Sequence, residues 1–357
     1  MGVTTFFILT PLYIYLSATS KITNFLDDRY YLLEICFIII LIIKYRINFS
    51  SFIEKIWLVI FLYFSIILLY DLFYMGGDYL KSFRNLILTS FLYFLLGKNL
   101  CKVNIFFLII LMLLVLISNF DMNDGRISFE GALEENRYNS YLEISHKLII
   151  GVLLTNFLLA RDESSIKNFM APLLIMFISL MIGARSDLVI SIYILLILAI
   201  NNKKIANLKI IIILLIVPLM LFFLFIIKAD SRLLNIFDIR SDDSYIGRKN
   251  LFFNGLSNIY DNPIFGDYTI AGDQHIHNFL FFWQKYGLLP FLLVSFIILY
   301  IVIYKINIKN IKNCYIHSYS VISIYIILSI LIFKDGYFEY ISLLCGLSGN
   351  RFLRKNE

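Results

Sequence analysis

A guanidinium in a polar turn is the first candidate for chemistry. Arg185 lies in Gly183-Ala184-Arg185-Ser186-Asp187, between the apolar runs 169–183 and 187–200. Because the planar fork of N–H donors on arginine matches the oxygens of a phosphate, we expect this side chain to bind an anionic group. The alternative is structural, with Arg185 paired to Asp187 or extended toward a polar surface.

A second arginine, Arg248, comes at the start of an amphipathic pattern. Between 247 and 260, Leu251, Phe252, Leu256 and Ile259 fall on one side of a helix. Asn262-Pro263 ends the pattern. A cation near the N-terminus of this helix would add to the free N–H groups there, which predicts an anion site. A solvated loop arginine is the alternative.

A histidine pair precedes the apolar run 278–304. His277 is expected at the outer mouth of that helix, where a neutral imidazole could take a proton from a hydroxyl group. Two alternatives stay open. His277 could be structural, or it could bind zinc with His275, Asp267 and Asp273. Since no further ligand has suitable spacing, we predict neither a metal nor another cofactor.

Side chains typical of a sugar site occur in the polar segment 121–141 and beside His277. Arg126, Asn136, Arg137 and Asn278 could hydrogen-bond sugar hydroxyls through guanidinium and amide groups. They are also ordinary loop residues, and that interpretation stays open.

The elements that position these residues are predicted to be transmembrane helices. The chain has 357 residues, of which 60% are hydrophobic and 16% charged. A water-soluble domain could not bury that much apolar surface. We expect an all-α polytopic integral membrane protein with about 12 transmembrane helices, forming one membrane domain over 1–357. The apolar runs are 2–18, 30–47, 56–74, 83–97, 103–120, 142–160, 169–183, 187–200, 208–227, 278–304, 314–333 and 336–349.

The distribution of lysine and arginine predicts the orientation. These residues are densest in short alternate gaps between the runs, which indicates that both termini are cytoplasmic. The first long loop, 121–141, and the large loop, 228–276, then face outward. The net charge of +6 comes from scattered cations rather than a basic block, so nucleic acid is not an expected partner.

Several motifs, taken in order, resemble the O-antigen polymerase and O-antigen ligase superfamily. The upstream turn Ile182-Gly183-Ala184-Arg185-Ser186 resembles its arginine turn, and residues 125–139 loosely resemble its first outward loop. The motifs of the signature region are Gly247-Arg248, Asn262-Pro263-Ile264-Phe265-Gly266, His277-Asn278 and Tyr286-Gly287-Leu288.

The resemblance implies a GT-C-type, metal-independent glycosyltransferase in the bacterial inner membrane, with its active site at the periplasmic face. The implied partners are undecaprenyl-pyrophosphate-linked glycans, the lipid bilayer and a chain-length regulator protein. It also implies that Arg185 and Arg248 hold the pyrophosphate and that His277 faces the acceptor hydroxyl.

The spacing behind His277 departs from the ligase-type pattern. Gly287 follows His277 by ten residues, one fewer than that pattern, and one residue turns a helix by about 100°. Either a local bulge compensates or the match at His277 is shifted by one position. The departure favours a polymerase over a ligase. A flippase for lipid-linked oligosaccharides is a further alternative, but it should carry charges along a central path.

Overall fold

A computed structural model gives the fold. It describes residues 35, 38–39, 42–43, 49, 51–74, 80–98, 145–146, 149–154, 175–176, 179, 185–201, 243–270, 274–306, 314–333 and 338–350. Every regular element within these ranges is a helix, and none is a strand. The all-α class predicted from the apolar runs is therefore confirmed for the described part of the chain.

Eight helices are described in full. They are α1 (Phe52–Tyr74), α2 (Leu80–Lys98), α3 (Arg185–Asn201), α4 (Asp243–Asp261), α5 (Phe281–Tyr286), α6 (Leu288–Tyr300), α7 (Cys314–Leu328) and α8 (Phe338–Ser348). Helices α6 and α7 each continue into a π-helical turn, Ile301–Lys305 and Ser329–Phe333 respectively.

Among the described residues, one helical segment is long and apolar enough to cross a bilayer by length and composition. It is Leu288–Lys305, with 18 residues and a mean hydropathy of 2.3. Shorter apolar helices cover Leu86–Lys98, Ser318–Leu331 and Phe338–Ser348. The expected number of about 12 transmembrane helices therefore stays a prediction.

The apolar run 278–304 does not form one continuous helix. Gly287, with a φ of 85°, separates α5 from α6. This positive φ lies in the left-handed region, which a glycine adopts without the steric strain of a Cβ atom. The prediction of a single helix is wrong here, because hydropathy cannot reveal a change of backbone direction inside an apolar run.

The chain divides into two compact units. Unit 1 comprises Met1–Asp27, Cys101–Asp242 and Asn307–Tyr325, and unit 2 comprises Asp28–Leu100, Asp243–Ile306 and Ile326–Glu357. Each unit joins segments that are distant in sequence. The pattern of apolar runs does not indicate this division.

The core of unit 2 is built where α2 and α8 approach closely. Gly97 faces the backbone of α8 and Gly346 faces the backbone of α2, and a Cβ atom at either position would overlap a carbonyl oxygen of the other helix. Small residues permit this close approach between helices. Beside it, Trp57 stacks on Phe94 with ring centroids 4.0 Å apart and donates to Ser342 Oγ at 2.7 Å.

One end of unit 2 is closed by polar contacts around a buried carboxylate. Ser51 and Glu54 form a reciprocal capping box at the start of α1, with Ser51 N–H donating to Glu54 Oε2 at 2.8 Å. Glu54 Oε1 also lies 2.7 Å from Lys98 Nζ at the end of α2. Asn350, just after α8, donates to Gly97 O at 3.0 Å. Three segments predicted to be cytoplasmic are thus in contact.

Helices α1 and α6 present apolar side chains to the outside. On both helices the exposed residues recur every three or four positions, so they form one stripe along each helix. A helix of a water-soluble domain would carry charged residues on such a stripe. The residues of the two exposed apolar stripes are Val59, Leu62, Ile66, Leu69 and Phe73 on α1, and Leu289, Leu292, Phe296 and Leu299 on α6, with Val302 in the π-helical turn that follows.

Candidate functional site

The helix predicted near 247–260 begins earlier than expected. Helix α4 starts at Asp243, so Arg248 is its sixth residue and lies beyond the first turn, where the free N–H groups are found. The expectation that Arg248 sits beside free N–H groups is therefore corrected. The missed signal is Asp243-Ser244, since these residue types are favoured at a helix N-terminus.

The register of α4 separates two neighbouring cations. Arg248 is exposed, but it is in line with Phe252, Gly255 and Ile259, on the side that packs against the rest of unit 2. A Cβ atom on buried Gly255 would overlap the side chain of Ile276, which shows how closely the loop before α5 approaches α4. Arg248 lies two helical turns before Gly255, and Gly255 faces Ile276, the residue next to His277.

Lys249 lies about 100° around α4 from Arg248. By register it is in line with Phe253, Leu256 and Tyr260, whose side chains are all exposed. The sequence predicts Leu251 and Leu256 on the same side of the helix. Leu256 instead lies about 140° around the helix from Leu251, on the exposed side. Arg248 and Lys249 are thus adjacent in sequence but have different surroundings.

Two motifs of the predicted signature region, Asn262–Gly266 and Tyr286–Leu288, are in direct contact. Gly266 and Gly287, with φ values of 68° and 85°, approach so closely that a Cβ atom on either would overlap backbone atoms of the other segment. Leu288 N–H donates to Ile264 O at 3.0 Å, and Trp283 Nε1–H donates to Pro263 O at 2.8 Å. The turn after α4 is therefore joined to the break between α5 and α6.

The loop that carries the histidines is held by Gln284. This fully buried side chain accepts from Ile276 N–H through Oε1 at 2.8 Å and donates to Gln274 O at 3.4 Å. Sequence reasoning missed Gln284. A polar side chain inside an apolar run was the signal that could have found it.

His277 is half-buried and its ring lies 5.3 Å from that of His275, centroid to centroid. His275 is buried and makes an edge contact with Phe281 at 4.9 Å. Asn278, predicted to bind a glycan, accepts from Leu280 N–H through Oδ1 at 2.9 Å and so helps to form the turn before α5. A glycan contact through Asn278 stays a prediction.

The position of His277 differs from the expectation. Instead of standing at the mouth of a transmembrane helix, it precedes the short helix α5, which ends at the positive-φ Gly287. The break lies between His277 and α6, within the interval that is one residue shorter than the ligase-type spacing. The choice between a compensating bulge and a match shifted by one position stays a prediction.

In unit 1, Arg185 is the first residue of α3. The helix therefore begins two residues before the predicted apolar run 187–200. Position 187 follows in the first turn of the helix. On α3, Asp187, Ile190 and Ile194 are buried, and by register position 185 lies about 200° from position 187. The two positions are thus on different sides of the helix.

Asp187 belongs to a buried group of polar side chains, here called the Asp187 cluster: Ser145, His146, Asp187 and Tyr325. Ser145 Oγ donates to Asp187 Oδ2 at 2.8 Å, and Tyr325 OH donates to Oδ1 at 2.9 Å. Tyr325 OH is also 2.8 Å from His146 Nδ1. Since the phenol has one proton and gives it to Asp187, its oxygen accepts from an Nδ1–H of His146.

The Asp187 cluster is not a catalytic triad, although it contains serine, histidine and aspartate. In a triad the serine hydroxyl donates to the histidine, whereas Ser145 donates to the carboxylate. Ser145, His146 and Asp187 are also completely buried, which keeps a substrate away from the hydroxyl. The signal that sequence reasoning passed over is a histidine inside the apolar run 142–160.

Three predicted glycan-binding residues, Arg126, Asn136 and Arg137, lie outside the described residues. Arg185 belongs to unit 1, and Arg248 and His277 belong to unit 2. Their common role stays a prediction. Within the described ranges, no three or more His, Cys, Asp or Glu side chains are grouped as metal ligands.

No protein-family model, curated protein or solved structure matches this chain.

Proposed function

We propose that this chain is a glycosyltransferase of the bacterial inner membrane that joins lipid-linked oligosaccharide units at the periplasmic face, as an O-antigen polymerase does. The observation that carries the proposal is the contact between the Asn262–Gly266 turn and the Tyr286–Leu288 segment. These two motifs carry much of the family resemblance.

Around that contact, the structural unit also includes α4 with Arg248 and the loop with His277. The loop reaches α4 through Ile276 and Gly255, and Gln284 connects it to α5. Residues that resemble the signature region are therefore neighbours in one packed unit rather than scattered over the surface. This arrangement supports a shared role for Arg248 and His277.

The exposed apolar stripes of α1 and α6 support a membrane environment. Only 22% of the segment Leu288–Lys305 is buried, whereas the core helix of a water-soluble domain is mostly buried, and this favours a lipid-facing helix. An apolar surface of this extent must be shielded from water. The hydrocarbon chains of lipids can shield it along the whole length of a helix.

Contacts within unit 2 support the predicted orientation. The polar contacts around Glu54 join the start of α1, the end of α2 and the segment after α8, all predicted to be cytoplasmic. The end of α6 is beside the same end of α1, since the Phe52 ring lies 6.1 Å from the Tyr300 ring. The motifs around Gly287 are at the other end of α6, where the periplasmic face is expected.

The proposed reaction is a single displacement at the anomeric carbon of the donor. The acceptor hydroxyl forms the new glycosidic bond while the bond between that carbon and the pyrophosphate oxygen breaks. His277 takes the hydroxyl proton, and Arg185 and Arg248 neutralise the charge that develops on the departing pyrophosphate. The anomeric configuration should therefore invert. A product that retains the donor configuration would contradict this mechanism.

The alternatives differ in their product. A ligase would transfer the glycan to lipid A-core, and a flippase would move the lipid-linked unit without forming a bond. One specific observation favours the flippase. His146 and Asp187 are two ionisable side chains inside unit 1, and His146 Nδ1 lies 3.7 Å from Asp187 Oδ1.

Purified protein supplied with lipid-linked repeat units tests the proposal. We expect lipid-linked products that contain two or more units, without lipid A-core. Transfer only when lipid A-core is present would replace the polymerase by the ligase. No bond formation, together with movement of the lipid across vesicles, would replace the enzyme by a flippase.

A further inference from the structure

The polar side chains in the Asp187 cluster come from three separate stretches of unit 1. Ser145 and His146 are both helical, Asp187 is the third residue of α3, and Tyr325 is near the end of α7. Both carboxylate oxygens of Asp187 accept a hydrogen bond from another helix. The N-terminus of α3 is therefore held by two neighbouring helices through one side chain.

This connection is stronger than an exposed contact of the same kind. Hydrogen bonds to a charged group contribute more than those between neutral groups, and a fully buried carboxylate that loses a donor is left without compensation. Asp187 also lies in the first turn of α3, where the helix dipole favours a negative charge. The arrangement fixes where α3 begins.

Arg185 is the residue that depends most directly on that start. It precedes Asp187 by two positions on the same helix, so its Cα atom moves when the first turn of α3 shifts or frays. The buried cluster cannot touch a substrate itself. A contribution to the reaction must therefore act through a neighbouring residue.

We propose that Asp187, Ser145 and Tyr325 are positioning residues that hold Arg185 for a pyrophosphate-bearing lipid. The inference rests on the proposed function in one respect, the assignment of Arg185 to the pyrophosphate. Mispositioned guanidinium groups lose their bidentate contact with phosphate oxygens, so the effect should appear in binding of the lipid pyrophosphate.

A double-mutant cycle on the full-length protein tests this inference. The dissociation constant for undecaprenyl pyrophosphate is measured for the unmodified chain, Tyr325→Phe, Arg185→Ala and the double variant. Tyr325→Phe removes one hydroxyl and should weaken binding about tenfold. In the Arg185→Ala background the same change should alter binding by less than about twofold, because its effect passes through Arg185.

The matched control is Tyr319→Phe, which removes another buried hydroxyl from α7, six residues before Tyr325. It should leave the dissociation constant within about twofold of the unmodified value. Ser145→Ala provides a second route to the same cycle if Tyr325→Phe does not fold, as judged by thermal unfolding.

Three results would overturn the inference. The first is an equal loss of affinity from Tyr325→Phe in both backgrounds, which a merely structural role would produce. The second is no loss in either background, and the third is no binding of undecaprenyl pyrophosphate by the unmodified chain. If the cycle behaves as expected but no glycan is ever extended, the proposed polymerase fails and the positioning role stands.

Discussion

At the scale of single residues, the position of a cation on its helix distinguishes a candidate phosphate ligand from an ordinary surface residue. Arg248 and Lys249 are adjacent, exposed and both positively charged. Only Arg248 lies on the side of α4 that packs against the loop before His277. The register of α4 thus distinguishes two cations that composition alone could not separate, and only Arg248 is proposed to contact the phosphate.

Replacing His277 tests the proposed general base. We expect His277→Gln to lower the turnover number for glycan transfer by about 10²–10⁴-fold, because no group would then take the acceptor proton. Binding of undecaprenyl pyrophosphate should stay within about twofold of the unmodified value, since the arginines are unchanged. Unaltered turnover in this variant would assign His277 a structural role.

At the scale of elements, positive-φ glycines determine how the motifs meet. Gly287 ends α5 and redirects the chain into α6, and Gly266 gives the turn after α4 the room to approach it. Gln284 then ties the histidine loop to α5. Between α4 and α6, the described residues 262–270 and 274–287 therefore form short turns and the helix α5, which are bonded to one another.

Alanine substitutions at two glycines should have opposite effects on stability. Gly287→Ala should lower the free energy of unfolding by about 2 kcal/mol or more, because the new methyl group is strained at positive φ and overlaps Ile264 O. Gly247→Ala, where nothing lies within 4 Å, should raise it by about 0.5–1 kcal/mol. Thermal unfolding in detergent measures both. Equal melting temperatures for the two variants would contradict the structure of this turn.

Helix α4 should lie at the depth of the lipid headgroups. Its exposed side carries Phe253 and Tyr260, and the exposed Phe265 beside Gly287 continues this surface toward α6. Spin labels at 253 and 260 in nanodiscs should be more accessible to oxygen than to a water-soluble nickel reagent, in a chain whose four native cysteines are replaced. A label at Asn254 is the control and should show the reverse. Nickel accessibility at all three positions would place α4 in water.

At the scale of the whole molecule, the sequence predicts the helical class and the region of the site but not its internal contacts. Apolar runs and the Asn262-Pro263 stop indicate helices, because burial and backbone chemistry act locally. The break at Gly287 and the Asp187 cluster depend on which distant segments pack together. A single sequence contains no record of those pairings, so Tyr325 gives no signal before the fold is known.

The contact of each arginine with the pyrophosphate can be tested separately. Arg185→Ala and Arg248→Ala should each weaken binding of undecaprenyl pyrophosphate measurably, because each removes one proposed contact with the phosphate oxygens. An unchanged dissociation constant in either variant would remove that residue from the proposed site.

The central claim is that Arg248 serves glycan transfer from a lipid pyrophosphate. The most direct measurement compares chain extension by the purified unmodified protein, Arg248→Ala and Lys249→Ala, each supplied with lipid-linked repeat units. We expect long products from the unmodified protein and from Lys249→Ala, and a loss of about 10²–10³-fold in rate for Arg248→Ala. Undiminished extension by Arg248→Ala, or no extension by the unmodified protein, would contradict the account.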